Sequence, residues 1–318
     1  MSKELLIEAG GYETRVALLE NGKVVEVHHE RRSASGAVGD IYKGRVSRVV
    51  PGIQAAFVDI GLARNAFLFA GDTRRDRGPI GDEIRQGQEL LVQVVKEALP
   101  GKGARISLQP SLPGRFVVLL PGATGVGVSR RIGDLEDRER LETELAKRLP
   151  EKCGAIVRTA AEGCSIEELD REMGRLEETW RQLQSDAAGK KAPAVVHREL
   201  DLASRAARDL LDKDTSRVWI DGSDTFDQVR DYLEQVEPSM VERLQPHSGD
   251  GLLFDRFGVD AALSRAMRTR VWLKSGGFIV INPTEALVAI DVNSGRHTEG
   301  VELEATARTT NLEAAEEV

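Results

Sequence analysis

Apolar and polar positions alternate through much of the first third of the chain, the period of two that predicts β-strands. Leu5-Leu6-Ile7-Glu8-Ala9 and Thr14-Arg15-Val16-Ala17-Leu18-Leu19 read as a hairpin-like start, with the turn Glu20-Asn21-Gly22-Lys23 before Val24-Val25-Glu26-Val27. From Gly39 to Gly61, and on through Asn65-Ala66-Phe67-Leu68, short alternating runs lie between glycine and proline turns. That meander predicts a five-stranded OB barrel. Helices are predicted from Glu136 to Arg148 and from Ser165 to Ala188, the second ending at the linker-like Gly189-Lys190-Lys191-Ala192-Pro193. Between Asp201 and Ala266 helices alternate with one short strand, Arg217-Val218-Trp219-Ile220-Asp221. Two apolar strand runs then meet across an Asn282-Pro283-Thr284 turn, and Glu302 to Val318 reads as a helix.

Candidate chemistry sits on two of these segments. The second apolar run near the end finishes on Asp291, with Asn293 two residues later. Side chains two apart on a strand share a face, so a carboxylate and a carbonyl oxygen point the same way. Such oxygens suit a hard divalent cation, and Mg2+ keeps several waters beside one or two of them. Asp and Asn at a strand end also form turns through local backbone hydrogen bonds. The meander carries Lys43, Arg45 and Arg48 with two aromatics ten residues apart, Phe57 and Phe67. Barrels of this kind hold single strands by stacking bases on aromatics beside a basic groove. A phenylalanine in a barrel can equally be core, and one ring inward with one on the rim satisfies both readings.

Composition narrows the choice. At 318 residues the chain is long enough for two or more domains, and its aromatic content of 4% with 30% charged residues marks a polar protein. A net charge of −8 argues against indiscriminate polyanion binding, so any nucleic-acid site is a local basic patch. There is no apolar run long enough to span a bilayer and no signal-peptide apolar region behind Met1-Ser2-Lys3-Glu4, which points to the cytoplasm. Cys153 and Cys164 match no zinc template and are expected to pack, reduced.

Taken together, the chain resembles the ribonuclease E/G family of bacterial endoribonucleases. The resemblance runs from Lys43-Gly44-Arg45-Val46 to Gly61, through Ser111-Leu112-Pro113-Gly114-Arg115-Phe116, Val128-Ser129-Arg130-Arg131-Ile132 and Ile156-Val157-Arg158-Thr159-Ala160-Ala161-Glu162-Gly163. It continues in the Asp291 segment and Thr310-Asn311-Leu312-Glu313-Ala314-Ala315. It implies an α+β multidomain chain. An RNase H-like domain in two parts (residues 1–35 and 203–266) is interrupted by an S1/OB-fold RNA-binding barrel (36–112) and a 5′-sensor region (113–202), and is followed by the start of a DNase I-like domain (267–318). The implied activity is Mg2+-dependent endonucleolytic cleavage of single-stranded RNA, not DNA, with sensing of a 5′ monophosphate, in ribosomal and transfer RNA processing and messenger RNA decay.

Residue by residue, the resemblance places Phe57, Phe67 and Lys102 on the barrel surface near the cleavage site, and turns Arg130 and Arg131 toward the RNA backbone. Arg158 and Thr159 form the pocket for the 5′ monophosphate, with Gly114 and Val118 supplying close backbone approach. A guanidinium fork beside a hydroxyl suits a terminal phosphate. Asp291 and Asn293 are the implied catalytic residues and Mg2+ ligands.

In the family a second metal-binding aspartate, a further pocket arginine and a Cys-Pro-x-Cys zinc link follow the helix at which this sequence stops. The expectation is therefore a truncated catalytic region without zinc, running as a monomer or weak dimer; Glu302 and Glu304, shortly after the Gly295 loop, are disfavoured as substitutes for the aspartate. The alternative is an RNA-binding or regulatory protein of the same family that has lost cleavage. A sugar or nucleotide kinase is disfavoured, because no phosphate-binding loop follows Gly10-Gly11.

Overall fold

The run Leu5-Leu6-Ile7 offers no polar side chain to water, and all three residues are fully buried. They belong to β1 (Lys3–Ala9), which pairs antiparallel with β2 (Glu13–Glu20), itself paired with β3 (Lys23–Arg31). The computed structural model describes residues 2–31, 36–73, 78–99, 101–249, 251–295 and 303–318. Next come β4 (Ile41–Val50), β5 (Ala55–Asp59), β6 (Ala66–Phe69), the short α1 (Ile80–Glu83), β7 (Glu89–Lys96) and β8 (Arg105–Ser107). A third sheet draws on β9 (Leu112–Pro113), β10 (Val117–Pro121), β11 (Val126–Val128) and, after α2 (Leu135–Ala146), β12 (Cys153–Val157). Helix α3 (Ile166–Gly189) leads to β13 (Ala194–His197), α4 (Leu202–Asp209), β14 (Thr215–Asp221), α5 (Ser223–Val236) and β15 (Leu244–Pro246). Then follow α6 (Leu253–Arg256), α7 (Val259–Ala266), β16 (Arg270–Trp272), β17 (Phe278–Pro283), β18 (Val288–Asn293) and α8 (Leu303–Glu317). Residues 1–253 and 254–318 form two compact units.

In the first unit β14 lies parallel to β1, with Leu5 opposite Val218 and Ile7 opposite Ile220, and the sheet order is β15-β14-β1-β2-β3. Residues 3–31 and 215–246 thus share one sheet, although the barrel stands between them in sequence. Parallel strands must be covered, and α4 and α5 supply the cover: Leu5, Ile7 and Val16 pack with Ala206, Ala207 and Leu233.

The expected five-stranded barrel is present. Antiparallel pairs β4–β5, β5–β6, β4–β7 and β7–β8, with the parallel pair β6–β8, close the ring around Val46, Val58, Leu68, Val92 and Ile106. Gly44 on β4 is demanded by this packing, since a Cβ there would stand 2.6 Å from Val58 Cγ1. Strand β13, which lies in the segment expected to form the sensor, adds to the outside of β4.

Helix α3 shows why the sheet β11-β12-β10-β9 holds its shape. A capping box between Ser165 and Glu168 starts the helix. Leu169, Glu172, Met173 and Leu176 are its buried face, at i, i+3, i+4 and i+7. A glutamate in that stripe must be satisfied. Glu172 Oε1 accepts the Arg115 N–H at 2.7 Å, and Oε2 accepts those of Phe116 and Val117, also at 2.7 Å. Burial pushes this carboxyl up, the three donors pull it back, and the balance stays above the usual carboxylate range. Gly114 lets the loop close over the carboxylate, because a Cβ would fall 2.6 Å from Glu172 Cδ. Both cysteines pack in the same core, and burial pushes the Cys164 thiol up to about 11 and raises that of Cys153. Neither is a poised thiolate at neutral pH.

The second unit carries the sheet β16-β17-β18, with Leu273 and Ile279 packed on Ala314 of α8. Among the described residues no helix is long and apolar enough to cross a membrane.

Removing Glu172 strands three buried backbone donors, each costing about 1–3 kcal/mol. Glu172→Ala should therefore lower unfolding free energy by at least about 3 kcal/mol in a urea titration, with Glu172→Gln intermediate because it keeps one acceptor oxygen. A loss below about 1 kcal/mol would show that the loop finds other partners.

Candidate functional site

On the barrel, cross-strand register decides which side chains meet. Arg48 stands opposite Phe57, Phe57 opposite Phe67, and Phe67 beside Arg105, so the four line up on the outer wall. The rings meet edge to face, with centroids 5.8 Å apart at 70°. Both are half-buried on the outside. The expectation of one ring inward fails because Ala56, Val58, Ala66 and Leu68, the flanking residues, take the interior positions.

The basic groove also differs from expectation. Lys43 lies 3.2 Å from Glu89 and donates to the carbonyls of Ala187 and Lys190, while Arg45 pairs with Glu89 at 2.8 Å. These two cations are occupied by structure. Arg48 is exposed and, among the described residues, makes no ion pair, and Arg105 is held beside the rings by Asp72 at 2.7 Å. Lys102 is exposed in its glycine loop, where its backbone N–H donates to Leu99 O at 2.8 Å.

A second group gathers where β12 ends. The Arg158 backbone N–H donates to Phe116 O at 2.7 Å, and its Nη1 donates to Gly114 O and to Asp209 Oδ1, both at 2.6 Å. Asp209, the last residue of α4, also accepts Arg208 Nε and Nη2 at 3.0 Å. Burial pushes the Asp209 carboxyl up, but the Arg208 and Arg158 guanidinia outweigh it and hold the group below the usual carboxylate range. Thr159 is exposed, with its hydroxyl 2.9 Å from that of Ser129. A cleft of about 780 Å³ opens here, lined by Thr159, Arg131, Arg115, Asp209 and Lys213 among others. Arg130 is exposed on the adjoining turn, and half-buried Val118 lies opposite Ile156 in the sheet.

The third group stands on the second unit. Asp291 and Asn293 end β18 on one face, and Asn293 Nδ2 donates to Asp291 Oδ2 at 2.9 Å. Among the described residues no three or more His, Cys, Asp or Glu gather to hold a metal, so a cation bound by this pair would keep water in most of its shell. Glu302 lies outside the described residues, and Glu304 is exposed in the first turn of α8.

Sequence reasoning missed Glu172, Arg208 and Asp209. Glu172 had a legible sign, an acid at a core position of a helical stripe. Asp209 had none, since its partner Arg158 is fifty-one residues away.

Residues 111–318 match the Ribonuclease E/G family. Over its full length the chain is 40% identical to Ribonuclease G of Salmonella typhimurium (strain SL1344), of which it spans 68%. Identity and coverage are the same against Ribonuclease G of Escherichia coli (strain K12). With 99% of its residues aligned it is 36% identical to Ribonuclease E of Escherichia coli (strain K12), covering 31% of that protein.

If bases stack on the barrel wall, Phe57→Ala and Phe67→Ala should each weaken binding of a single-stranded oligoribonucleotide by about 1–3 kcal/mol in fluorescence anisotropy. A lowered melting temperature with undiminished affinity of the folded protein would assign the rings to packing alone.

Proposed function

The chain belongs to the ribonuclease E/G family, and on that premise we propose that it is a cytoplasmic, Mg2+-dependent endoribonuclease that cuts single-stranded RNA and reads a 5′ monophosphate. Its substrates on this reading are ribosomal and transfer RNA precursors and messenger RNA. The observation that carries the cleavage reading is the meeting of Asp291 and Asn293. A half-turn of the Asn293 amide exchanges Nδ2 for Oδ1 and leaves two oxygens near the present spacing of 2.9 Å. Oxygens that close repel unless a cation lies between them. Neighbouring ligands of an octahedral Mg2+, at about 2.1 Å from the ion, stand about 3 Å apart, so the pair fits. Bound there, Mg2+ would orient a water and neutralise charge on the phosphate.

The protein's own residues supply the rest. The outward Phe57 and Phe67 rings offer bases a stacking surface, while Arg48 and Lys102 offer charge to the phosphates. A local basic site of this kind is compatible with an acidic body. Arg158 and Thr159 face a 5′ phosphate through a guanidinium fork and a hydroxyl, and Arg130 and Arg131 stand on the neighbouring turn for the backbone beyond it.

Asp291→Ala should abolish Mg2+-dependent cleavage of a 5′-phosphorylated single-stranded RNA and leave RNA affinity within a few fold; Asn293→Ala should be milder, a neutral carbonyl being the weaker ligand. Undiminished cleavage by Asp291→Ala would remove it from the site. Arg158→Ala should erase the preference for 5′-monophosphate over 5′-hydroxyl RNA in steady-state kinetics.

A further inference from the structure

The Arg158 guanidinium has five N–H groups, and the structure accounts for two of them. Both hydrogens of Nη1 are used, one on Gly114 O and one on Asp209 Oδ1, each at 2.6 Å. Nε and Nη2 make no hydrogen bond among the described residues. These two nitrogens form the side-on edge that matches two oxygens of a phosphate.

Both acceptors on Nη1 are themselves fixed, and from different directions. Gly114 is tied through the next residue, whose N–H donates to the buried Glu172 carboxylate. Asp209 is held by the Nε–Nη2 edge of Arg208, and Arg208, 6% exposed, is anchored through Nη1 by Glu199 Oε1 at 2.8 Å and by Pro113 O at 3.3 Å. The guanidinium plane is therefore set by a sensor-loop carbonyl on one side and by a helix-end carboxylate on the other.

We propose that Asp209 is a positioning residue for 5′-end recognition: together with Gly114 O it saturates Nη1 of Arg158 and so presents the Nε–Nη2 edge to a terminal phosphate. This rests on the reading of Arg158 as the phosphate contact. A paired carboxylate reduces the local positive charge, so specificity comes from orientation rather than from net charge, and RNA lacking the phosphate gains little from the site.

The test compares the full chain with Asp209→Ala and Asp209→Asn on one single-stranded RNA carrying either a 5′ monophosphate or a 5′ hydroxyl. Asp209→Ala should raise KM for the phosphorylated RNA, relative to the hydroxyl RNA, by roughly tenfold, with the change in KM rather than kcat. Asp209→Asn keeps an acceptor for Nη1 without the competing charge, and should retain the preference or strengthen it. Asp209→Ser, too short to reach Nη1, should repeat the loss where Asp209→Ala is too unstable to assay. Glu199→Gln, which weakens the anchorage of Arg208 but leaves both acceptors of Nη1, should keep the preference. A preference that rises in Asp209→Ala would make Asp209 a competitor of the phosphate and overturn the proposal. A preference unchanged there but lost in Arg158→Ala would overturn it and leave the sensor reading standing. A wild-type chain that does not distinguish the two RNAs would overturn both.

Discussion

Glu172 gives its two oxygens to three consecutive backbone N–H groups, and the geometry around the end of β12 follows from that one buried carboxylate. Its helix is held by apolar packing, so the acceptor stands at a fixed depth, and the loop from Gly114 to Val117 must come down to meet it. That descent turns the Gly114 carbonyl toward Arg158 and sends the Arg115 side chain into the sheet domain, where Nη1 reaches Ala207 O and Leu211 O and Nε reaches Glu237. One loop thus supplies an acceptor to the Arg158 guanidinium and locks two parts of the first unit together. Burying an unpaired carboxylate would be prohibitive, which is why the three donors and the missing Cβ at Gly114 belong to a single device.

Charge is managed differently on the barrel. Lys43 and Arg45, which look available in sequence, are spent on Glu89 and on the carbonyls at the end of α3. Arg48 and Arg105 remain beside the aromatic pair. Of these two, Arg105 is paired with Asp72, while Arg48 makes no ion pair among the described residues, so the charge left beside the rings is local on an acidic protein.

The strands were legible because their period of two is enforced by burial: Ala56, Val58, Ala66 and Leu68 face in, so Phe57 and Phe67 face out. The helices were legible as segments, and the start expected at Ser165 is where the structure puts the Ser165–Glu168 capping box. The clustering of Asp291 with Asn293 follows from their spacing alone. What sequence reasoning could not reach are contacts between distant residues. Asp209 with Arg158, Arg115 with Glu237, and β13 joining the barrel after the Gly189 to Pro193 linker depend on three-dimensional approach that no local pattern encodes. The loss of Lys43 and Arg45 to Glu89 is of the same kind, a competition settled by a neighbour on another strand.

The parallel pairing of β1 with β14 carries a timetable. Residues Lys3 to Glu8 find their partners only at Thr215 to Asp221, so during synthesis the first strand waits while some two hundred residues are added. At about 5–20 residues per second that interval is about 10–40 s. The barrel needs no sequence beyond Ser107 to close its ring and is complete long before then. Meanwhile the apolar Leu5-Leu6-Ile7 strand has only β2 beside it, at one open edge of a three-stranded ribbon whose other edge is β3. Until β14 arrives, the β1 edge is a template for mispairing, and shielding it during synthesis would protect the nascent sheet.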